Sequence, residues 1–107
     1  MTADLANRLR RLVREGDFLV SAHGYEEMQN DGILLGDIER AMPEAVMVEA
    51  YPDYHKGLCC LFLLHDDTGP VHVLWELATD TDRPAALITA YRPDPDRWLH
   101  DFRTHRK

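Results

Sequence analysis

The chain has 107 residues, of which 45% are hydrophobic and 29% charged, and its formal net charge is −7. This length and composition predict one ordinary globular domain covering residues 1–107. The longest apolar run, Leu58 to Leu64, is far shorter than the roughly 20 residues of a membrane-spanning helix, and the N-terminal segment lacks the pattern of a secretory signal. The adjacent cysteines Cys59 and Cys60 are poorly placed for a disulfide with each other, so we expect reduced thiols and a cytoplasmic location.

The negative charge is concentrated in the middle of the chain. Residues 1–23 carry a net charge of +1, residues 24–82 carry −11, and residues 83–107 carry +3. The middle should repel a phosphate backbone. Only the two ends could therefore form a basic patch, and this distribution argues against strong binding of nucleic acid.

The first third of the chain has the apolar spacing of helices. A stripe at helical spacing predicts a first helix that ends near Gly16, and it consists of Leu5, Leu9, Leu12 and Val13. Residues 18–20 form a short extended piece. Ser21 is a typical N-cap for a second helix over residues 22–31, and Gly32 stands where that helix should end. A third, short helix is predicted from Leu35 to Met42.

From residue 46 onward the apolar period changes from 3.6 to 2, which predicts strands at about 46–51, 58–65, 71–78 and 86–92. The tight turn at residues 66–69 predicts antiparallel pairing of the second and third strands. Further turns are expected in YPDYHKG, residues 51–57, and in TDTDRP, residues 79–84. Residues 93–107, PDPDRWLHDFRTHRK, are predicted to form a helix capped by Asp94. The expected fold is therefore α+β: N-terminal helices, then a four-stranded mainly antiparallel sheet, then a C-terminal helix.

Strand parity assigns two polar side chains of the 71–78 strand to one face. Val71, Val73, Trp75 and Leu77 share the natural core face, whereas His72 and Glu76 point to the other one. Glu49 and Tyr51 leave the core side of their own strand in the same way. A carboxylate close to His72 would raise the pKa of the imidazole and select its tautomer. The alternative is a solvated polar strand face that happens to contain a histidine.

His23 is a second candidate, because it falls in the first turn of the predicted second helix. A neutral imidazole near free helix amides can act as a general base. The alternative is a helix-start histidine that bonds a nearby carbonyl. Glu26 follows three residues later on the same side of the helix. His23, Glu26 and His72 could also be interpreted as metal ligands, but no short ligand pair such as HxxxH supports a metal site, so no metal or other cofactor is predicted.

The stretch AYRPDPDRW, residues 90–98, gives the third candidate. Tyr91 can donate a proton, and Arg92 can bind a phosphate in bidentate fashion. The alternative for this pair is an edge tyrosine of the core beside a surface charge.

Taken in order, these motifs resemble a known family. FLVSAHGYEEMQNDGILLGDIERAM, VMVEAYPD, LCCLFLLH, PVHVLWEL and LITAYRPDPDRW resemble the successive blocks of the domain-of-unknown-function 4258 family of small bacterial proteins, over about residues 17–102. The resemblance implies a RelE-like fold and a toxin–antitoxin setting, in which the protein would be a metal-independent RNA-cleaving ribonuclease bound by an antitoxin protein.

The same resemblance implies roles for particular residues. His23 and His72 would be the acid and base candidates, Tyr91 would position or donate, and Arg92 would bind phosphate. The toxin hypothesis then predicts that His23, His72 and Tyr91 share one cleft lined by Arg92 or Arg97. Glu26 is predicted, with these two arginines, to bind the substrate. Two alternatives stay open: a non-catalytic protein-interaction domain that forms a homodimer, and a small-molecule or metal-binding protein with His23 at the rim of an apolar pocket.

Overall fold

The computed structural model describes residues 2–51, 57–78 and 84–106. Three helices and five strands lie in this part of the chain: α1 (Thr2–Arg14), β1 (Phe18–Val20), α2 (Ala22–Asn30), α3 (Leu35–Ala41), β2 (Val46–Tyr51), β3 (Gly57–His65), β4 (Pro70–Ala78) and β5 (Ala85–Tyr91). A 3₁₀ turn, Met42–Glu44, joins α3 to β2. No helix among the described residues is both long enough and apolar enough to cross a membrane.

The fold is α+β, but the predicted four-stranded sheet is wrong. The sheet has five strands in the order β1-β5-β4-β3-β2, and it is mixed because β1 pairs with β5 in parallel, whereas the other neighbours are antiparallel. The additional strand is the extended piece at residues 18–20. Three residues give almost no periodicity, and the pairing partner lies 67 residues further along the chain, so no local pattern could reveal it.

The main core lies between the helices and one face of the sheet, which we call the core face. It contains the α1 stripe that the sequence predicts together with Phe62, Val73, Trp75 and Leu87. Burial of such side chains stabilises the fold by roughly 1.5–3 kcal/mol for each large one. The prediction that Val71, Val73, Trp75 and Leu77 share the core face is confirmed.

The opposite face of the sheet, which we call the second face, has a smaller apolar cluster. Cys59, Leu61 and Leu74 are buried there under Trp98, with Phe102 packed against them. Both Trp98 and Phe102 belong to the chain that follows β5. Residues 92–106 therefore cover part of the second face, and we call them the C-terminal segment.

The predicted C-terminal helix is wrong, because the C-terminal segment is a series of turns. Asp94 accepts a hydrogen bond from the amide of Asp96 (2.8 Å), and Asp101 accepts from the amides of Arg103 and Thr104. Such side-chain bonds compete with helical backbone bonds. A φ of 55° at Phe102 and a bridge between Trp98 and His105 complete an arrangement that a helix would exclude.

Several local predictions are confirmed. The Ser21 hydroxyl caps α2 by accepting from the amide of Gly24 (2.9 Å), and Gly32 stands beyond the end of that helix with a φ of 67°. Asp66 closes the β3–β4 turn by accepting from the amides of Thr68 and Gly69. Most of the YPDYHKG turn and of the TDTDRP loop lies outside the described residues.

Candidate active site

His72 is fully buried on the second face of the sheet. Its Nε2 is 2.8 Å from the carbonyl oxygen of Phe102, and its Nδ1 is 3.3 Å from the hydroxyl of Tyr91. A carbonyl can only accept, so Nε2 has the proton and the neutral ring accepts at Nδ1 from Tyr91. Both ring nitrogens thus have partners inside the protein.

Burial lowers the pKa of His72, although the bond to Phe102 and the charge of Glu49 act in the opposite direction. The expected increase in pKa from a carboxylate neighbour is thus outweighed by the cost of placing a charged ring away from water. The hydrogen bond from His72 to Phe102 holds the C-terminal segment against β4, and His72 has no exposed surface that a substrate could contact.

A chain of contacts leads from His72 to the protein surface. The ring of Trp98 meets His72 edge to face, with centroids 4.6 Å apart, and stacks on His105 at 4.0 Å. His105 Nε2 is 2.5 Å from Oε1 of Glu49, whose Oε2 accepts from the hydroxyl of Tyr51 at 2.5 Å. The imidazole and the carboxylate come from positions 56 residues apart, and both are partly exposed, at 61% and 29% of their side-chain surface.

The carboxylate of Glu49 is held in its ionised form. The hydrogen bond from Tyr51 is the largest cause that lowers the pKa of Glu49, and the contact with His105 acts in the same direction, against the effect of partial burial. A partly exposed, ionised carboxylate in contact with an imidazole can take a proton from one group while the imidazole supplies a proton to another. This pair is therefore the best candidate acid–base centre among the described residues.

An open cleft of about 240 Å³ lies beside this pair on the second face, lined by Tyr51, Leu61, Leu74, Thr89 and Tyr91. Leu61, Leu74 and Thr89 occupy one row across β3, β4 and β5, and the register continues that row to Glu49 on β2. The floor of the cleft is thus largely apolar, and its lining includes two tyrosines. The row of residues that crosses the floor continues to Glu49, the carboxylate of the candidate pair.

Cys59 lies on the same face, with Sγ 3.7 Å from Oε2 of Glu76. Burial, followed by the Glu76 charge, raises the pKa of Cys59 to about 12, and burial raises the pKa of Cys60 to about 11. Since the thiolate is the nucleophile of cysteine chemistry, neither residue suits nucleophilic catalysis.

Arg92 forms a bidentate pair with Asp66. Both guanidinium NH groups lie 2.8 Å from the two carboxylate oxygens, and the backbone amide of Arg92 donates to Asp31 at 2.8 Å. The hydrogen bonds from Arg92 lower the pKa of Asp66 to about 2. The guanidinium group that the sequence suggests for binding a phosphate therefore connects the end of β5 to the β3–β4 turn through an ion pair.

His23 lies on α2, where 63% of its side chain is exposed, and its partner is Glu27 at 3.9 Å. Glu26 is exposed as well. His72, by contrast, is buried on the second face, where its ring nitrogens bond to Tyr91 and Phe102. The structure thus shows no contact between His23 and His72.

In the structure Tyr91 contacts His72, and Arg97 lies in the C-terminal segment. Arg97 is exposed, and its carbonyl accepts from the amide of Arg106 at 2.9 Å. Of the residues proposed for one shared cleft, only His72 and Tyr91 are in contact.

No sequence pattern predicts His105 as a site residue. Strand parity predicts that Glu49 and Tyr51 point away from the core side of their strand, so these two residues could have been found. His105 has no such pattern, because it lies in a segment whose composition favours a helix and whose turns depend on aspartate side chains. Across residues 2–51, 57–78 and 84–106, no three His, Cys, Asp or Glu side chains cluster in a way that could bind a metal ion.

Comparison with known proteins gives one result. No curated protein and no solved structure matches the chain significantly. A family model described as "Domain of unknown function (DUF4258)" matches residues 20–92. This range includes the last residue of β1, all of β2 to β5, and the residues Glu49, Tyr51 and His72, and it stops before His105. The match covers more than half of the chain, so the protein belongs to this family of domains of unknown function.

Proposed function

We propose that the protein is a RelE-like toxin, a metal-independent endoribonuclease that acts in the cytoplasm and is bound by an antitoxin protein. The observation that carries the proposal is the Glu49–His105 pair. A carboxylate and an imidazole from distant parts of the chain meet at 2.5 Å, partly exposed, beside a cleft on the open part of a sheet. This pair takes the place of His23 and His72 as the acid–base centre.

The chemistry is transfer of a phosphoryl group within the RNA strand. Glu49, ionised through its bond with Tyr51, takes the proton of a ribose 2′-hydroxyl, and the 2′-oxygen attacks the neighbouring phosphorus. The bond from phosphorus to the 5′-oxygen breaks, and a protonated His105 gives its proton to that leaving oxygen. The products are a 2′,3′-cyclic phosphate and a 5′-hydroxyl, with no metal required.

The surroundings of the pair suit this substrate. The tyrosines and leucines of the cleft offer an apolar surface for a base, where stacking on an aromatic ring contributes about 1–3 kcal/mol. The C-terminal segment adds the cations Arg97, Arg103 and Arg106 close to His105 in the chain, and these would stabilise the charge on the phosphorane.

A bound RNA must separate Glu49 from His105, because at 2.5 Å no phosphate fits between them. His105 is the partner that moves, since it is more exposed than Glu49 and belongs to a segment of turns. The contact in the structure is thus the resting state of the proposed enzyme.

Cleavage of a fluorescent single-stranded RNA in the presence of EDTA tests the proposal. Glu49→Gln and His105→Ala should each reduce the rate by about 10²–10⁴, the usual contribution of general acid–base catalysis. His23→Ala is the matched control, since it removes an exposed imidazole outside the proposed centre, and it should cleave like the wild type. An inactive wild type, or three variants with equal rates, would refute the proposal.

The second candidate is a non-catalytic interaction domain that forms a homodimer. The observation that favours it is the Arg92–Asp66 pair, because the resemblance to toxins assigns Arg92 to a phosphate, whereas the structure pairs it with a carboxylate. The interaction-domain hypothesis predicts that the protein cleaves no RNA under any condition and that light scattering finds a dimer at micromolar concentration.

A further inference from the structure

A groove rich in arginine lies between the C-terminal half of α1 and the corner formed by α3 and the 3₁₀ turn. Two adjoining hollows of about 350 and 340 Å³ share Arg10, Arg14 and Pro43. The charged residues of this arginine groove are Arg10, Arg11, Arg14, Arg40 and Glu39. Arg40 is paired with Asp37 at 2.8 Å, so the excess positive charge of the groove comes from Arg10, Arg11 and Arg14, on a chain whose net charge is −7.

Arg10 gives the groove a fixed charge that no carboxylate neutralises. Its guanidinium donates to Oδ1 of Asn7 at 2.9 Å and to the carbonyl of Ala45 at 2.5 Å, and it lies over the ring of Phe62. All three partners are neutral, and the Nε of Arg10 is buried without a hydrogen-bond partner. A partly buried charge is screened less than an exposed one, so the positive potential of Arg10 extends into the groove.

Arg11 and Arg14 supply the groups that a ligand can reach. Both are exposed, and within the described part of the chain neither guanidinium has a hydrogen bond or an ion pair. Cations near a helix C-terminus stabilise the helix, and this effect is enough to explain why Arg11 and Arg14 stand in the last turns of α1. It explains neither the uncompensated charge of Arg10 nor the concave shape of the surface.

We propose that the arginine groove binds a short acidic segment of a partner protein, with one carboxylate on the guanidinium group of Arg11 and another on that of Arg14. Arginine binds a carboxylate through two parallel hydrogen bonds, and the guanidinium N–H groups of Arg11 and Arg14 can both form such a pair.

The acidic surroundings decide against RNA as the ligand. Glu39 lies in the groove, Asp37 and Glu44 flank it in sequence, and residues 24–82 have a net charge of −11. These carboxylates on the α3 side of the groove would repel a phosphate backbone, which has one charge at every nucleotide, more than a peptide segment with only two carboxylates. The inference does not depend on the proposed ribonuclease activity.

Fluorescence anisotropy tests this inference at low salt with a labelled, C-terminally amidated ten-residue peptide of Gly and Ser that contains two Glu residues. The variant Arg11→Gln with Arg14→Gln should weaken binding at least tenfold. The matched control is Gln29→Glu with Asn30→Asp, which makes the same change in net charge at two exposed residues at the end of α2, and its affinity should stay within twofold of the wild type. Melting temperatures verify that both variants fold.

Three results would overturn the inference. The first is absence of peptide binding by the wild type. The second is an equal loss of affinity in the two variants of matched net charge, which would mean that the peptide is attracted by the overall charge alone. The third is tighter binding of a labelled RNA of ten nucleotides that depends on Arg11 and Arg14, which would make the groove a phosphate site.

Discussion

At the scale of single residues, His72 shows how burial decides the behaviour of a histidine. A ring with no exposed surface and a partner at each nitrogen stays neutral, because protonation would place a charge in the interior and remove the bond that Nδ1 accepts. Parity correctly assigned His72 to the second face. It could not tell that a later part of the chain covers that face, since coverage depends on turns formed 30 residues further on.

His72 should therefore make the protein less stable in mild acid. Burial lowers the pKa of His72 in the folded state, so below about pH 6.5, the ordinary value, the unfolded chain binds a proton that the folded chain does not. The contribution of His72 to the free energy of unfolding then falls with decreasing pH by at most about 1.4 kcal/mol per pH unit.

Urea unfolding of wild type and His72→Phe at several pH values between 7 and 5 measures this effect. The variant should be less stable at pH 7 by about 1–3 kcal/mol, since the Phe102 carbonyl loses its donor, and the gap should narrow on acidification. Replacement of the exposed His100 by Gln is the control. A gap that stays constant over this pH range would show that protonation of His72 is not opposed by folding.

At the scale of the elements, patterns of apolar residues, together with cap and stop residues such as Ser21 and Gly32, were sufficient for α1, α2, α3 and the four longer strands. They failed where structure depends on distant pairing or on polar side chains. β1 is too short to have a period, and it becomes a strand only through β5. In the C-terminal segment, the spacing of Trp98, Leu99 and Phe102 suggested a helix, but Asp94 and Asp101 bond the local backbone and stabilise turns instead.

The packing of α2 on β5 gives a test at this scale. A Cβ at Gly24 would lie 3.0 Å from Cδ2 and 3.2 Å from the carbonyl oxygen of Leu87, so Leu87 would have to shift to make room for an alanine. Gly24→Ala should destabilise the protein by about 1–3 kcal/mol through overpacking, although alanine favours a helix.

Gly36→Ala on α3 is the matched control, because a Cβ there would meet nothing within 4 Å. It should stabilise the protein by about 0.5–1 kcal/mol through helix propensity alone. Thermal unfolding of both variants provides the measurement. Stabilisation by Gly24→Ala would contradict the close contact between α2 and β5.

At the scale of the whole molecule, the sheet separates two regions with different roles. The core face holds the helices and most of the apolar core, whereas the second face has a small cluster, the cleft and the Glu49–His105 pair. On the proposed function, a chain with a net charge of −7 would bind RNA through the three arginines of the C-terminal segment, Arg97, Arg103 and Arg106. The site was only half predictable, since Glu49 follows from strand parity and His105 depends on how the chain returns over the sheet.

The most direct test of the Glu49–His105 centre uses a DNA oligonucleotide that contains a single ribonucleotide, incubated with the wild-type protein and EDTA. Attack by a 2′-oxygen predicts one cut, directly after the ribonucleotide, with a 2′,3′-cyclic phosphate on one product and a 5′-hydroxyl on the other, and an intact all-DNA strand. Cleavage of the all-DNA strand, or no cleavage of either strand, would contradict the account.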